Sequence, residues 1–202
     1  MSYWRSYTDP IRRRLRMTRH EHSRRPLRMS FLIYNETLVI SKDIDGNEYE
    51  VTANDLTWRP SAYGIVIHED RILLVKENGK FHLPGGSIDL GENPEVAVLR
   101  ELKEETGSTV QKPKLVNLAS SFFSYGANDS PPNLQHVHSL LLYYSCEYVS
   151  TDQNDIHLDQ YESAAGLTPE WVGVSELDEI IVGTTVDWRP VIRQVLQGKL
   201  SH

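Results

Sequence analysis

Three glutamates near one end of a predicted helix have the residue type and spacing of a divalent-cation site. Glu101, Glu104 and Glu105 fall within an arc of about 100° at the helical period. Glu101 and Glu105 repel each other at the i,i+4 spacing, and carboxylates at a helix C-terminus oppose the helix dipole. Clustered carboxylate oxygens are what a hard cation such as Mg²⁺ requires, so the cluster predicts metal binding. A solvated acidic surface is the alternative interpretation.

The helix that carries these acids has clear start and stop signals. Asn93 suits the N-cap, Pro94 suits the first helical position, and Gly107 follows the last turn. The sequence therefore predicts an amphipathic helix over residues 94 to 106, with its acids pointing away from the core. The apolar side chains expected to face the core are Val98, Leu99 and Leu102.

The residues before and after this helix predict a mixed sheet with helices packed on it. Gly85-Gly86 follows a predicted strand, and the absence of Cβ atoms permits a ligand to approach the backbone closely. Strict alternation of strand and helix is absent, which argues against a doubly wound fold. Apolar runs predict strands at 61–77 (two strands, with a turn at 68–71), 114–125, 136–149 and 171–174, and helices after Ser175 and over 187–197.

The chain divides into three parts by composition. Residues 1–28 hold nine arginines and two acids, a charge of +7, whereas the remainder carries −14. The basic part lacks apolar periodicity and is interpreted as a disordered arm. Four interpretations of this arm are open: it has no function, it contacts a polyanion, it is a transit-like segment, or it precedes a true translation start at Met29. Residues 29–58 alternate around Asp45-Gly46 and predict a β-hairpin or small sheet, and residues 59–202 form the main domain.

The spacing of the loop and helix residues resembles the signature of the Nudix (MutT-like) hydrolases. That signature places a glycine, a glutamate, an Arg-Glu pair, a Glu-Glu pair and a second glycine at set intervals. The last aliphatic position of the signature holds Ser108 instead. The matching residues are Gly86, Glu92, Arg100, Glu101, Leu102, Glu104, Glu105 and Gly107.

The resemblance implies an α/β/α sandwich that hydrolyses, with Mg²⁺ or Mn²⁺, a nucleoside diphosphate linked to another moiety. Glu101, Glu104, Glu105 and the Gly85 carbonyl are the implied metal ligands, and Arg100 is expected to orient the acids. Glu92 resembles the position that supports a further metal, with a structural role as the alternative.

The sequence offers more than one candidate for the general base and for the substrate-binding residues. Glu101 and Glu162 are the two main candidates for the base, with Glu170 after them, and an exposed loop acid is the alternative for the last two. ADP-ribose-like compounds, dinucleoside polyphosphates and nucleoside triphosphates all remain open as substrates. Aromatic and histidine residues expected to contact the base, or else to pack on the sheet, are Phe122, Phe123, Tyr125, His136, His138 and Tyr143.

Other function classes fit the sequence less well. No apolar run approaches the ~20 residues of a membrane span. The single Cys146 fits a reducing compartment, so a cytoplasmic location is expected. A net charge of −14 outside residues 1–28 argues against an extended nucleic-acid surface, although hydrolysis of 5′-phosphorylated RNA stays an alternative. A nucleotide-sensing module without catalysis is a second alternative, and a homodimer through the N-terminal hairpin is a predicted assembly.

Overall fold

The structure, a computed structural model, describes residues 37–126 and 134–200, with side chains to residue 198. The predicted arm (1–28) and residues 29–36 lie outside the described residues. The described part contains ten strands and three α-helices. Their bounds are β1 Leu38–Lys42, β2 Glu48–Thr52, β3 Leu56–Trp58, β4 Ser61–His68, β5 Arg71–Glu77, β6 Lys80–His82, β7 Gly85–Ser87, α1 Pro94–Thr106, β8 Ser108–Tyr125, β9 Gln135–Thr151, α2 Gln160–Ala165, β10 Thr168–Gly173 and α3 Arg189–Leu200.

The strands form a mixed sheet in the order β10-β5-β4-β9-β8-β1-β2. Strand β3 pairs with β9, β6 with β5, and β7 with β4. The pairs β4–β9, β3–β9 and β1–β8 are parallel, and the others are antiparallel. The predicted α/β class with a mixed sheet is therefore confirmed, and a doubly wound arrangement is absent from the described residues.

Helices cover the two faces of this sheet. On one face α1 buries Ala97, Val98 and Leu102 against residues of β4 and β9. On the other face α3 buries Val191 and Ile192, together with Trp188 just before it, against a second apolar cluster. Burial on both faces explains why β4 and β5 are nearly continuous apolar runs rather than alternating ones.

The strands β1 and β2 form an antiparallel hairpin in which Leu38 lies opposite Thr52. Its turn is closed by Asp43, whose Oδ1 accepts hydrogen bonds from the backbone N–H groups of Asp45 and Asn47. Gly46 takes the left-handed conformation, with φ of 86°. The local turn chemistry of the Asp-Gly pair accounts for this hairpin.

The prediction that the acids of α1 point away from the core is wrong for two of them. Glu101 is 9% exposed and Glu105 is 4% exposed, and both share the buried face of α1 with Val98 and Leu102. The reason is tertiary, because β7 lies over this part of the helix and hydrogen-bonds Glu105.

Of the two C-terminal helices expected, the one over 187–197 is confirmed as α3, Arg189–Leu200, and the other is not. The helix expected after Ser175 is a single 3₁₀ turn, Val174–Glu176. The chain beyond it pairs with β6, since Phe81 N–H donates to the Ile181 carbonyl and Gly183 N–H to the Phe81 carbonyl. Helix α2 was not predicted. Within residues 37–126 and 134–200, no helix combines the length and apolar character needed to cross a bilayer.

Candidate active site

Three carboxylates from two helices meet beside the glycine pair. Glu101 and Glu105 come from α1 and Glu162 from α2, and one oxygen of each lies within 4.8 Å of the others. Glu101 and Glu105 are one helical turn apart, so α1 alone places them together. Glu162 lies 57 positions after Glu105 and reaches the same point only through the fold.

The glycine pair fits closely against these acids. Gly85 N–H donates to Glu105 Oε2 at 2.8 Å. A Cβ on Gly85 would lie 2.2 Å from the Ala62 carbonyl oxygen, and one on Gly86 would lie 2.8 Å from Glu101 Oε1. Glycine is therefore required at position 85, where the backbone of β4 leaves no room for a Cβ, whereas a Cβ at position 86 would displace the Glu101 carboxylate. The amide of Gly85 makes the observed contact, and its carbonyl as a metal ligand stays a prediction.

Arg100 holds a network of acids next to the cluster. Its Nε and Nη2 donate to the two oxygens of Glu92, both at 2.9 Å. Its Nη1 donates to Glu101 at 2.9 Å and Glu104 at 3.0 Å, and Nη2 also donates to the Ser87 carbonyl at 3.2 Å. The guanidinium therefore joins the loop before α1 to the acids on it. The role of Arg100 in orienting the acids stays a prediction, which these contacts support.

Burial and neighbouring charges both shift the pKa values of these groups. Burial is the main cause that raises the pKa of Glu101, opposed by the nearby Arg100. Burial likewise raises the pKa of Glu105 well above its ordinary value, and the charges of Glu101, Glu162 and Glu104 add to the shift. The Arg100 hydrogen bond lowers the pKa of Glu92. The cluster is thus a site where like charges are held together at a cost that a cation would remove.

Helix α2 positions Glu162. Asp159 is its N-cap residue and accepts from the N–H groups of Tyr161 and Glu162, at 2.7 and 2.9 Å. Glu162 Oε2 accepts from Asp159 N–H at 2.8 Å, which completes a capping box. Gly166, in the left-handed conformation, ends the helix. The spacing Asp159-x-x-Glu162 is the sequence signal that predicts the start of this helix.

Other predicted acids lie outside the three-carboxylate cluster. Glu104 is half-buried and contacts Arg100. Glu92 contacts Arg100 and accepts from Asp89 N–H at 3.2 Å. Glu170 lies on β10, where it pairs with Lys76 at 3.2 Å. Ser108, which replaces an aliphatic residue of the signature, is buried, and its hydroxyl lies 3.0 Å from Thr151 Oγ1.

A cavity of about 300 Å³ lies on the α3 side of the sheet, and Glu101, Glu105 and Glu162 do not line it. Its wall includes Tyr63, which is opposite Gly85 in the pairing of β4 with β7. Arg59 also lines it and donates from Nε to the hydroxyl of Ser87, whose carbonyl accepts from Arg100. Tyr63 and Arg59 therefore connect the cavity wall to β7, and Gly85 of β7 contacts Glu105. Aromatic residues of its wall are Tyr63, Phe123, Tyr125, Tyr143 and Trp188.

The predicted substrate-binding residues divide between the two faces of the sheet. Tyr125 lines the cavity and stacks on Phe123 at 5.9 Å between ring centroids. Phe122, His136 and His138 do not line it. Phe122 packs on His138 at 4.4 Å, and His136 Nδ1 lies 2.7 Å from Ser124 Oγ. Their assignment to substrate binding stays a prediction.

Arg59 and Trp188 are candidate site residues that the sequence pattern did not single out. Arg59 precedes Pro60 at the start of β4, and Trp188 precedes α3. Neither belongs to a spaced motif, so only their position on the cavity wall indicates a role.

Comparison with protein families assigns most of the chain to one family. The NUDIX domain family matches residues 58–194. An ADP-ribose pyrophosphatase from Methanocaldococcus jannaschii is 43% identical over 63 residues, 29% of this chain and 37% of that protein. The chain thus spans about two fifths of the length of the relatives that it matches at 43% identity.

Longer and more distant matches extend over the domain. An RNA pyrophosphohydrolase from Zymomonas mobilis is 27% identical over 143 residues, 64% of this chain and 88% of that protein. The crystal structure of an ADP compounds hydrolase superimposes with a TM-score of 0.53 at 19% identity, covering 76% of this chain and 80% of that one. That likeness concerns the fold.

Proposed function

Because the chain belongs to the NUDIX domain family, we propose that it hydrolyses a pyrophosphate bond in a nucleoside diphosphate joined to another group, with Mg²⁺ or Mn²⁺ as cofactor. The observation that carries this proposal is the meeting of Glu101, Glu105 and Glu162 beside the glycine pair. ADP-ribose-like compounds, dinucleoside polyphosphates and nucleoside triphosphates are the substrate classes that we include, because each contains a phosphoanhydride close to a nucleoside.

The donor set fits a hard divalent cation. Glu101, Glu105 and Glu162 each offer a carboxylate oxygen, and carboxylates are the protein ligands that Mg²⁺ and Mn²⁺ prefer. We propose Glu104 and the Gly85 carbonyl as further ligands. A bound cation supplies the positive charge that stabilises the pyrophosphate oxygens as the anhydride breaks.

The residues of the chain account for the other parts of the reaction. We propose that Glu162 accepts a proton from the attacking water while the water oxygen bonds to phosphorus and the bridging P–O bond breaks. The bond electrons leave with the second phosphate. Arg100 keeps Glu101 in place through its 2.9 Å contact, and Glu92 in turn holds Arg100. Glu101 is the alternative base.

A substrate screen tests the proposal. Purified protein with Mg²⁺ is offered nucleotide sugars, dinucleoside polyphosphates, nucleoside triphosphates and 5′-triphosphorylated RNA, with Glu101→Gln as the control. We expect hydrolysis of at least one compound at a rate about 10²-fold or more above that control. Equal rates for both proteins on every compound would reject catalysis, and tight binding without turnover would then favour the nucleotide-sensing alternative.

The same screen separates the two candidate bases. If Glu162 is the base, Glu162→Gln should lower kcat by about 10²- to 10⁴-fold, the usual contribution of general base catalysis. An unchanged KM is expected, because the substitution leaves the cavity intact. Loss of less than fivefold in Glu162→Gln would instead assign the proton transfer to Glu101.

We also propose that two copies associate through the β1–β2 hairpin. Strand β2 is the last in the sheet order as described, and a strand at a sheet edge can pair with another chain. Leu38 and Ile40 on β1 are large apolar side chains that are exposed. Sedimentation equilibrium should give a dimer, and Ile40→Lys should shift it toward monomer. A monomeric wild-type protein would contradict this assembly.

A cytoplasmic location is a further proposal, supported by the single cysteine.

A further inference from the structure

Residues 152–157, the anchor segment, are fastened to the C-terminal end of α1. The backbone N–H of Asp152 donates to the Gly107 carbonyl at 2.9 Å, and the backbone N–H of His157 donates to the Glu104 carbonyl at 2.8 Å. The last carbonyl groups of a helix have no partner within the helix, so the bond from His157 satisfies one of them. The anchor segment is therefore held to α1 at both of its ends.

The two parts of the chain also fit closely between these hydrogen bonds. A Cβ on Gly107 would lie 2.3 Å from the Asp152 carbonyl oxygen and 3.2 Å from Ile156 Cγ1. Asp155 forms an ion pair with Lys103 of α1 at 3.3 Å. Both side chains of that pair are partly exposed, so the pair adds little by itself, and the backbone hydrogen bonds are the main attachment.

The anchor segment is ordered by its own hydrogen bonds. Asp152 Oδ1 accepts from the backbone N–H of Asn154 at 2.9 Å and from its Nδ2 at 2.8 Å. The backbone N–H of Asp155 donates to the Asp152 carbonyl at 3.0 Å, and His157 Nδ1 lies 2.7 Å from the Asp155 carbonyl oxygen. A segment with these internal bonds transmits the position of α1 to the residues that follow it.

The residues that follow it carry the third acid of the cluster. One residue separates the anchor segment from Asp159, the N-cap of α2. The backbone N–H of Asp159 donates to Glu162 Oε2 at 2.8 Å, and a Glu162 oxygen lies within 4.8 Å of Glu101 and Glu105. Helix α1 thus carries two acids of the cluster directly and holds the third through the anchor segment.

We propose that the anchor segment positions Glu162 for cation binding and proton transfer, and that the hydrogen bond from the His157 N–H to α1 is the contact on which this depends. The inference rests on the proposed function and adds His157 as a positioning residue that acts through its backbone. Ligands held on one framework lose little conformational freedom when a cation binds. A displacement of about 1 Å in a catalytic group lowers the rate by up to about 10²-fold.

Substitution of His157 by proline tests this inference, because proline has no N–H to donate. Ile156 has φ of −73° and ψ of 121°, an extended conformation that accepts a following proline. His157→Ala is the matched control, since it loses the same imidazole and keeps the N–H. Calorimetry measures Mn²⁺ binding to the full chain without substrate, for both variants, each with Glu162 and with Glu162→Gln. Thermal melting without metal checks that every protein is folded.

His157→Pro should bind Mn²⁺ about tenfold more weakly than His157→Ala, the usual effect of losing a group that orients a metal ligand. Its kcat on the compound found in the substrate screen should fall by about 10- to 10²-fold, with KM within about twofold. With Glu162→Gln the two variants should bind Mn²⁺ equally, because a residue that acts through Glu162 has no effect once that carboxylate is removed. An equal loss with and without the carboxylate would show a merely structural role and overturn the inference.

A second pair of variants decides the matter if His157→Pro does not fold. Asp155→Lys places a second cation against Lys103, and Glu147→Lys makes the same charge change at the ion pair with Lys112. Asp155→Lys should bind Mn²⁺ more weakly than Glu147→Lys only in proteins that keep Glu162, and equal affinities would overturn the inference.

The Mn²⁺ titrations and the substrate screen fail independently of each other. Hydrolysis with equal Mn²⁺ affinities of His157→Pro and His157→Ala would leave the proposed function standing and reject the role of the anchor segment. A difference in affinity that requires Glu162, in a protein that hydrolyses no compound, would reject the proposed function and retain the positioning of Glu162.

Discussion

Glu105→Gln should abolish hydrolysis, with kcat lowered by about 10³-fold or more under saturating Mg²⁺. Glutamine keeps the shape of the side chain and accepts the Gly85 N–H as glutamate does, but it lacks the negative charge that we propose for binding the cation. Initial rates across a range of Mg²⁺ concentrations measure the loss. Glu95→Gln, an exposed acid in the first turn of the same helix, is the matched control and should retain activity within about twofold.

The same substitution should make the metal-free protein more stable at pH values above the raised pKa of Glu105. Burial raises the pKa of Glu105 in the folded state above its unfolded value. Between those two values the folded protein binds more protons, so the stability of the wild type falls as pH rises through that window. Glu105→Gln removes this contribution and should therefore be more stable than the wild type in urea unfolding at pH values above the window.

Two results would contradict this account of Glu105. One is a Glu105→Gln variant that hydrolyses substrate at a rate close to that of the wild type. The other is a variant that Mg²⁺ protects against thermal unfolding as strongly as it protects the wild type, because protection requires that the folded state bind the cation.

Arg100→Ala should lower both stability and activity. Removing the guanidinium leaves Glu92, Glu101 and Glu104 without the cation that contacts them at 2.9 to 3.0 Å. Breaking a buried pair costs about 3–5 kcal/mol, and because the Arg100 side chain is 29% exposed we expect about 2–3 kcal/mol. We expect kcat to fall by about 10²-fold, since Glu101 loses the contact that orients it.

Arg100→Lys distinguishes charge from geometry. Lysine keeps the positive charge but cannot donate in parallel to both oxygens of Glu92 while also reaching Glu101. Urea unfolding should therefore show less than half of the loss in Arg100→Ala, whereas kcat should remain well below that of the wild type. Wild-type kcat in the lysine variant would mean that charge alone is required, and wild-type stability in Arg100→Ala would show that the network does not support the fold.

Local features made much of the fold and part of the site predictable. Helix α1 begins and ends where Asn93, Pro94 and Gly107 indicate, because caps and backbone preferences act within one or two turns. The mixed sheet followed from apolar runs bounded by charge and turns. Glu101 and Glu105 were predicted as neighbours from helical spacing alone. The unpredicted α2 also had a local signal in Asp159 and Glu162, whereas the chain after Ser175 pairs with β6 instead of forming the expected helix.

The sequence by itself thus determined the family signature, the helix that carries it and the proximity of Glu101 to Glu105, because these depend on contacts between residues close in the chain. Only the tertiary structure decided that Glu101 and Glu105 are buried, since β7 packs over them. It also decided that Glu162 joins them and that Arg59 and Trp188 line one cavity. These arrangements bring together strands and helices far apart in sequence, and no periodicity or spacing encodes such distances.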